Sequence, residues 1–339
     1  MSSMDSPLRW GLLGTGGICK SLAEAIALVP QARLVAVGSR DAARAGAFAA
    51  AHSAHHPRLR AHGSYEALVE DPEVDVVYVG TPHNDHAASA ELALRAGKAV
   101  LCEKPFTLNR PQAEAVVALA RERRCFLMEA MWTRFVPAVA EVRRLIADGA
   151  IGEPLSVLAE FGFDASALPP EHRAFNPALG GGALLDLGIY PLSLASFLLG
   201  PIESVQTQAQ RGATGVDVHT AFMLRHQRGG LSQGLCSLRA TTPWAAQVLG
   251  THGRIELQPP FFHAEHFTLV RTGASPLNHH MPHRGNGYAH QVVEVDRCVR
   301  AGLLESPVMP LDESLALMGW LDVMRGQVGV RYPGEQISA

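Results

Sequence analysis

The chain has 339 residues and a formal net charge of −3 at pH 7. This length favours two domains, and a composition of 47% hydrophobic and 18% charged residues excludes a disordered chain. The small negative charge provides no basic surface for nucleic acid or for an anionic membrane. We therefore expect a small-molecule partner, with no nucleic acid and no membrane.

The ends and the apolar stretches indicate a cytoplasmic protein. Residues 1–7 have neither a basic start nor an apolar core, so no secretory signal is predicted. The longest apolar stretch, residues 183–199, is interrupted by Asp186, Gly188 and Pro191, which argues against a membrane span. The five cysteines are odd in number and show no paired spacing, so we expect reduced thiols.

Strand and helix patterns alternate in the first third, as in a parallel sheet with crossover helices. Strands are predicted over residues 8–13, 34–39, 74–79, 99–102 and 126–128, with helices over 18–28, 41–51, 86–96 and 109–124. We expect Asp41 and Asn109 to begin two of these helices as N-caps and Gly97 to end another in the left-handed conformation.

The pattern changes near residue 130. A helix over 139–146, a strand over 155–163, a turn at residues 180–182 and a helix ending near 199 are predicted, then strands over 205–211, 216–224, 230–238, 245–250 and 253–257. Two helical patterns, around residues 292–299 and 315–328, close the chain. The predicted fold class is α/β, with an N-terminal Rossmann doubly wound parallel sheet over residues 1–130. A C-terminal α/β domain with an open, mainly antiparallel sheet follows over 131–339 and is expected to bind substrate and to dimerise.

A glycine-rich turn joins the first strand to the first helix, the context that a dinucleotide fingerprint requires. One glycine permits the sharp turn, the next lets the backbone approach a pyrophosphate, and the helix N-terminus offers unpaired N–H groups. Cys19 occupies the third fingerprint position and is small enough for close helix packing. The residues predicted to bind the cofactor here are Gly14, Thr15, Gly16, Gly17 and Ile18.

The end of the second strand predicts the type of cofactor. An acidic residue there would bind the adenosine ribose and repel a 2′-phosphate, but this strand ends in Ser39 and Arg40, with Arg44 one helical turn further. A hydroxyl beside guanidinium groups suits a phosphate. We therefore expect NADP rather than NAD.

Glu103-Lys104-Pro105 follows the apolar run 99–102 and places a lysine where a nicotinamide ring should lie. The sixteen histidines also raise the question of a metal. His83 and His86 are three residues apart, and a second group is His279, His280, His283 and His290. That second group lies in loop-like composition without cysteine or acidic ligands, so no metal site is predicted.

Four motifs, in order, resemble the Gfo/Idh/MocA oxidoreductase family over nearly the whole chain. They are Gly14-Thr15-Gly16, Thr81-Pro82-His83, Glu103-Lys104-Pro105 and the run Gly181-Gly182-Ala183-Leu184-Leu185-Asp186-Leu187-Gly188-Ile189-Tyr190. The stretches 126–135 and 159–162 are similar to the branch with dimeric dihydrodiol dehydrogenases and NADP-dependent D-xylose dehydrogenases. This resemblance implies a Rossmann domain, a second α/β domain with a substrate cleft between them, and last helices that return toward the first domain. It also adds Thr81, Pro82, His83, His86, Glu103, Lys104, Trp132 and Arg134 to the expected cofactor-binding residues.

The resemblance implies Lys104, Tyr190 and Asp186 as the catalytic residues of a reversible hydride transfer between the nicotinamide and a secondary alcohol. Many family members carry a histidine where this chain has Tyr190. A free phenol titrates near about 10, too high for an efficient base at neutral pH, but a nearby ammonium stabilises the phenolate. Tyr190 would take the proton and Lys104 would stabilise the alkoxide, while Asp186 would orient Lys104 or bind a hydroxyl. Whether Lys104 or Tyr190 is the acid–base group stays open.

Trp132, Phe161, Asp186 and Tyr190 are the expected substrate-binding residues, although Trp132 and Phe161 could instead be core aromatics. The substrate could be an aldose, a polyol, a trans-dihydrodiol, or a dicarbonyl or anhydro sugar. An alternative function is a non-catalytic NADP-sensing regulatory protein of the same fold, which would have no need of the lysine and the acid–tyrosine pair.

The resemblance also implies a homodimer formed by the packing of open sheets. We expect the alternating residues Val216, Val218, Thr220 and Phe222 to face the partner.

Overall fold

The computed structural model describes residues 6–335. Residues 1–5 and 336–339 lie outside this range, and with them most of the segment in which we expect no secretory signal. The chain divides into two compact units, one of Met1–Trp132 with Arg284–Leu315 and one of Thr133–His283 with Ala316–Ala339.

The strands are β1 (Leu8–Leu13), β2 (Ala32–Gly38), β3 (Arg60–His62), β4 (Val76–Val79), β5 (Ala99–Cys102), β6 (Leu127–Glu129), β7 (Pro154–Gly162), β8 (Ile202–Arg211), β9 (Asp217–His226), β10 (Leu231–Ser237), β11 (Ala246–Gly250), β12 (Gly253–Leu257), β13 (His266–Arg271) and β14 (Leu277–His280). The α-helices are α1 (Gly17–Ala27), α2 (Ala42–Ala51), α3 (Tyr65–Val69), α4 (His86–Arg95), α5 (Arg110–Arg123), α6 (Pro137–Ala147), α7 (Ile189–Leu199), α8 (Ala289–Arg300) and α9 (Leu311–Val328).

The first unit contains a six-stranded parallel sheet in the order β3-β2-β1-β4-β5-β6. This is the Rossmann strand order, which brings the carboxyl ends of β1 and β4 together at the point where the order reverses. The central strand β4 is fully buried, as expected for a parallel sheet covered on both faces. The predicted fold class is confirmed in this unit.

Local signals in this unit act as predicted. The Asp41 carboxylate accepts hydrogen bonds from the backbone N–H groups of Ala43 (2.9 Å) and Arg44 (3.2 Å) at the start of α2. Asn109 accepts one from Gln112 N–H (3.1 Å) at the start of α5. Gly97 has a φ of +74° after α4, the left-handed conformation that favours glycine. These residues fix where the helices begin and end.

The second unit contains an eight-stranded sheet in the order β14-β13-β12-β11-β7-β10-β9-β8. Neighbouring strands are antiparallel except for β7 and β10, which are parallel. The predicted open, mainly antiparallel sheet is therefore confirmed. Helix α7 packs on one face of this sheet, against β7 and β10.

The prediction that Val216 and alternating residues of β9 face a partner is wrong. Val216, Val218, Thr220 and Phe222 are buried within the chain, whereas Ala221 and Met223 are exposed on the opposite face. Side chains alternate along a strand, so the pattern separates two faces but does not say which one α7 covers. Any partner that packs on the open face would contact the exposed residues Ala221 and Met223.

Other elements differ from the prediction because they lack a strong local pattern. Strand β3 and helix α3 have only three and five residues, and neither was predicted. Strands β13 and β14 were also missed, and His279 and His280 lie in β14 rather than in a loop. The strands β3, β13 and β14 form through pairing with neighbouring strands, which single-sequence patterns do not reveal, and α3 is too short for a clear helical period.

One helical segment in the described residues, Pro177–Leu199, is long and apolar enough to cross a membrane by length and composition. Its most apolar window is 89% buried inside the second unit. That degree of burial is what a core helix of a folded domain shows.

Candidate active site

The glycine turn after β1 has the geometry of a phosphate-binding turn. Gly14 has a φ of +110°, and a Cβ there would lie 2.7 Å from the carbonyl oxygen of Gly80, so glycine is required by the chain itself. A Cβ at Gly16 or Gly17 would meet no protein atom within 4 Å. Packing within the described residues therefore does not explain glycine at those two positions, and the open space beside them has room for a pyrophosphate. These residues fit a dinucleotide.

Cys19, at the third fingerprint position, packs where a larger side chain would not fit. A Cβ on Gly80 would lie 2.4 Å from the Cys19 Sγ, so the thiol and the glycine pack directly against each other. Burial raises the pKa of the Cys19 thiol to about 12, with a smaller contribution from the negative charge of Glu103. The thiol is therefore a protonated packing group, as its small size suggested.

The end of β2 presents a hydroxyl and two guanidinium groups. The Ser39 Oγ accepts a hydrogen bond from the Asp41 N–H (3.2 Å), which holds the turn into α2. Arg40 is exposed and its Nη1 lies 3.3 Å from the Asp85 Oδ2, with the guanidinium over the ring of Tyr65. Arg44 is also exposed and pairs with Asp41 at 3.5 Å. Both arginines are accessible to an anion.

The loop after β4 is fixed by His86. Its Nδ1 lies 2.8 Å from the carbonyl oxygen of Pro105 and its Nε2 lies 3.0 Å from that of Thr81. Burial lowers the pKa of His86, while hydrogen bonding to the two carbonyl groups opposes that shift. The ring is 1% exposed. Because it contacts both carbonyl groups, it joins the loop after β4 to the loop after β5. Its neighbour His83, after Pro82, is also buried and packs edge-on against His86.

The loop after β5 carries Lys104 and is held by two buried carboxylates. Glu103 accepts a hydrogen bond from the Tyr78 hydroxyl (2.5 Å) and one from the Lys104 backbone N–H (3.1 Å). Glu129 at the end of β6 accepts from the Phe106 N–H (3.1 Å). Burial and the Glu103 charge raise the pKa of Tyr78 well above its usual value, so its hydroxyl remains a donor. The Lys104 backbone is thereby fixed while its side chain stays partly accessible.

Trp132 and Arg134 follow β6 and lie in different surroundings. Trp132 is 3% exposed and its ring stacks on that of Tyr288 at 4.3 Å. Arg134 is buried; its Nε donates to the Ser193 Oγ (2.9 Å), and its guanidinium lies over the ring of Phe197. These contacts tie Arg134 to α7.

Tyr190 lies in an aromatic cluster of the second unit. Its ring centroid is 5.4 Å from that of Phe161 and 5.5 Å from that of Phe262. Phe161 stacks on Phe262 at 4.2 Å, and Trp244 closes the cluster edge-on to Phe161. Phe161, Phe262 and Trp244 are only partly buried. The cluster therefore offers a partly exposed aromatic wall beside the Tyr190 ring.

Asp186 lies one turn before Tyr190, within a π-helical segment, Leu184–Gly188, that leads into α7. The carboxylate is almost fully buried and pairs with Nη1 of the exposed Arg173 at 3.2 Å. Wide π-helical turns occur often at functional sites. The predicted catalytic acid therefore lies in the π-helical segment, and the tyrosine lies in the first turn of α7, which follows it directly.

Four residues around these sites were not predicted: Tyr78, Arg173, Trp244 and Phe262. Trp244 lies in an irregular segment directly after Pro243, and Phe262 lies in a short 3-10 helix, Phe261–His263, that begins after Pro260. The nearby prolines were the available signal. Trp244 has a φ of +59°, and its indole N–H donates to the Gly162 carbonyl. No group of three or more metal-ligating side chains was found within residues 6–335.

A parallel Rossmann unit with a phosphate-binding turn, joined to an open-sheet unit with a buried acid and tyrosine, defines a dinucleotide-dependent oxidoreductase. One family model, described as an oxidoreductase family with an NAD-binding Rossmann fold, matches residues 8–131. A second, described as the GFO/IDH/MocA C-terminal domain, matches residues 139–256. The chain belongs to the Gfo/Idh/MocA oxidoreductase family. It is an NAD(P)-dependent dehydrogenase or reductase that acts on CH–OH groups.

Known proteins resemble the chain over almost its full length. A trans-1,2-dihydrobenzene-1,2-diol dehydrogenase from Bos taurus is 37% identical, over 97% of this chain and 99% of that protein. The enzyme of that name from Homo sapiens is 36% identical with the same coverage. A 3-ketoreductase from Actinomadura kijaniata, solved with NADP and TDP-benzene, has a TM-score of 0.83 at 28% identity and covers 95% of this chain and 98% of its own. Variants of that ketoreductase with a lysine or a tyrosine replaced have also been crystallised.

Proposed function

We propose that the protein is an NADP-dependent dehydrogenase that oxidises a secondary alcohol of a cyclic diol, with a trans-dihydrodiol as the preferred substrate class and sugars or polyols as the alternatives. The observation that carries this proposal is the aromatic wall of Phe161, Phe262 and Trp244 beside Tyr190. A planar cyclohexadiene can stack on such a wall at ring distances of about 4.5–7 Å. The similarity to trans-1,2-dihydrobenzene-1,2-diol dehydrogenases supports the same class.

Tyr190, Lys104 and Asp186 have the chemistry that this oxidation needs. The cofactor supplies the hydride acceptor. The Tyr190 phenolate takes the proton of the reacting hydroxyl, and the Lys104 ammonium stabilises both the phenolate and the developing alkoxide. The Asp186 carboxylate, oriented by Arg173 at 3.2 Å, binds the neighbouring hydroxyl of a diol. A hydrogen bond to a carboxylate is worth about 1.5–3 kcal/mol, enough to select a vicinal diol over a single alcohol.

The two units divide the work in this proposal. The first unit binds the dinucleotide through the glycine turn, Ser39 and Arg40. The residues around Lys104 in this unit are Thr81, Pro82, His83 and Glu103. The second unit binds substrate through Phe161, Asp186 and Tyr190. The exposed guanidinium groups of Arg40 and Arg44 suit the additional phosphate of NADP, and the neighbouring structure crystallised with NADP supports the preference.

A homodimer is the second part of the proposal, and the open face of the eight-stranded sheet supplies the interface. This face carries a groove of about 980 Å³ whose lining includes Leu158, Gln206, Met223, Gln233 and Gln247. Met223 is 48% exposed at the middle of β9. The strand register alternates apolar and amide side chains across this face, in the order Gln206, Met223, Gln233, Leu158 and Gln247. Such a mixed face can pack against a second copy and still pair its polar groups. The location we propose is the cytoplasm.

A substrate panel tests the proposal. Purified protein with NADP is given trans-1,2-dihydrobenzene-1,2-diol, D-xylose, other pentoses, hexoses and a simple secondary alcohol, and reduction is followed at 340 nm. The dihydrodiol should give the highest kcat/KM and the simple alcohol the lowest. A sugar with a higher kcat/KM than the dihydrodiol would make sugars the substrate class. No turnover with any of the alcohols, and none with the corresponding carbonyl compounds in the reverse direction, would refute the proposed oxidation.

A further inference from the structure

The segment that carries Asp186 and Tyr190 starts from an unusual turn. Gly180 has a φ of +74° and Gly182 a φ of +125°, so the chain enters the π-helical segment Leu184–Gly188 through conformations that favour glycine. A helix start leaves N–H groups without partners inside the helix. Something outside the segment must hold this start if the two functional side chains are to be placed accurately.

Asp217, at the beginning of β9, makes that connection from 33 residues away. One carboxylate oxygen, Oδ2, accepts hydrogen bonds from the Leu184 backbone N–H (2.7 Å) and from the Thr220 hydroxyl (2.7 Å). The side chain is completely buried. Burial raises the pKa of the Asp217 carboxyl, although its hydrogen bonds oppose this shift. The bond to Leu184 is an N-cap supplied by tertiary structure.

The turn and the cap are closely matched in shape. A Cβ on Gly182 would lie 2.5 Å from the Asp217 Oδ1, so only glycine leaves room for the carboxylate. The Tyr332 hydroxyl donates to the Gly181 carbonyl (2.7 Å), and the Arg325 guanidinium lies over the Tyr332 ring at 4.6 Å. Two buried side chains from distant parts of the second unit therefore hold consecutive parts of one turn.

We propose that Asp217 is a positioning residue that acts through Leu184 to set the places of Asp186 and Tyr190, with Tyr332 as a second anchor at Gly181. This inference rests on the proposed function of Tyr190. Asp186 is two residues beyond the capped N–H and Tyr190 is six, so a shift of the helix start moves both side chains. A misplacement of about 1 Å can cost about a hundredfold in rate. The anchors should therefore affect turnover more than affinity for NADP, which the first unit binds.

The experiment compares Asp217→Ala, Asp217→Asn and Tyr332→Phe in the full chain, with a cyclic diol or sugar that the wild type oxidises. Asp217→Ala should lower kcat by about ten- to a hundredfold with NADP affinity within about twofold of wild type. Asp217→Asn keeps an acceptor oxygen for the Leu184 N–H and should stay within about threefold of the wild-type kcat. Asp71→Asn is the matched control, because Asp71 is also a buried, hydrogen-bonded carboxylate but belongs to the first unit. It should lower the Tm and leave kcat unchanged well below the Tm.

Wild-type kcat in Asp217→Ala, or an equal loss in Asp217→Asn and Asp217→Ala, would overturn the inference. If Asp217→Ala does not fold, Tyr332→Phe decides, since it removes a single hydroxyl: kcat should fall by about three- to tenfold with unchanged affinity for NADP, and an unchanged kcat overturns the positioning role. Tyr190→Phe is measured in parallel. If it is inactive while Asp217→Ala is normal, the inference alone fails; if it is fully active, the proposed role of Tyr190 fails.

Discussion

Replacement of Arg40 by aspartate should reduce the preference of the protein for NADP over NAD. The Arg40 side chain is 70% exposed at the end of β2, so its attraction for a phosphate is partly screened. Two unit charges about 4 Å apart interact by about 1 kcal/mol in water and about 4 kcal/mol near a protein surface. A charge-assisted hydrogen bond is worth about 1.5–3 kcal/mol. Arg40→Asp should therefore weaken NADP binding roughly ten- to a hundredfold or more and leave NAD much less affected.

Two further variants sharpen this prediction. Asp85 lies 3.3 Å from the Arg40 guanidinium and competes with a phosphate for it, so Asp85→Asn should tighten NADP binding by up to about fivefold, the range of an exposed ion pair. Arg33→Asp is the control, because Arg33 is also exposed and its substitution makes the same charge change near the other end of β2. Arg33 and the last residue of β2, Gly38, are five residues apart, about 16 Å along the strand and beyond a Debye length of about 10 Å at 0.1 M salt.

The assay is a fluorescence or calorimetric titration of the free protein with NADP and with NAD, at one fixed ionic strength. Tighter binding of NAD than of NADP by the wild type would refute the reasoning. Equal weakening of both dinucleotides by Arg40→Asp would also refute it, since the variant would then be damaging the turn rather than a phosphate contact.

Three other predictions follow from burial and charge. All five cysteines lie within residues 6–335, and among them only Cys125 is partly exposed, so a thiol reagent at pH 8 should modify about one thiol per native chain and five after denaturation. Fast modification of several thiols would contradict the buried positions. Met223→Asp should place a charge on the open sheet face and shift the sedimenting species from dimer to monomer. Thr220→Ser, on the covered face, is the control and should leave association unchanged. A Met223→Asp variant that remains dimeric would show that this face is not the interface. Burial would raise the pKa of the Asp71 carboxyl, but hydrogen bonds from Glu73 N–H, Arg60 and His62 outweigh burial and lower it. The charged carboxylate therefore stabilises the folded protein above the ordinary carboxyl pKa, and this contribution is lost as the pH falls through the lowered value. Asp71→Asn should therefore reduce stability by about 1.5–3 kcal/mol at pH 7 and by much less near pH 3 in denaturant titrations, and a constant difference across that range would show that the charge is not involved.

The sequence predicted the first unit well because its signals are local. Continuous apolar strands, a glycine turn and polar caps such as Asp41 and Asn109 each act within a few residues, and the structure places them as expected. Strand β3 has no apolar run and forms only by pairing with β2, so no local signal predicts it. Alternation along β9 separated two faces correctly, but the identity of the covered face depends on where α7 packs.

The candidate site shows the same limit. Motif order predicted Lys104, Asp186 and Tyr190, because family motifs are contiguous in sequence. Trp244 and Phe262 come together with Phe161 and Tyr190 only after the second sheet has formed, since they lie in connections between strands. The π-helical segment also was not predicted, because residue spacing does not distinguish a π turn from an α turn over five residues.

The central claim is that Lys104 and Tyr190 act as one catalytic unit in hydride transfer to NADP. Single-turnover transfer, measured at 340 nm with Tyr190→Phe, Lys104→Met and the double variant, tests it most directly, alongside NADP titration of each. Each single variant should be slower by about two to four orders of magnitude with nucleotide binding retained, and the double variant should be little slower than the slower single one. A near-normal rate in either single variant would remove that residue from the mechanism, and additive losses in the double variant would contradict a shared catalytic unit.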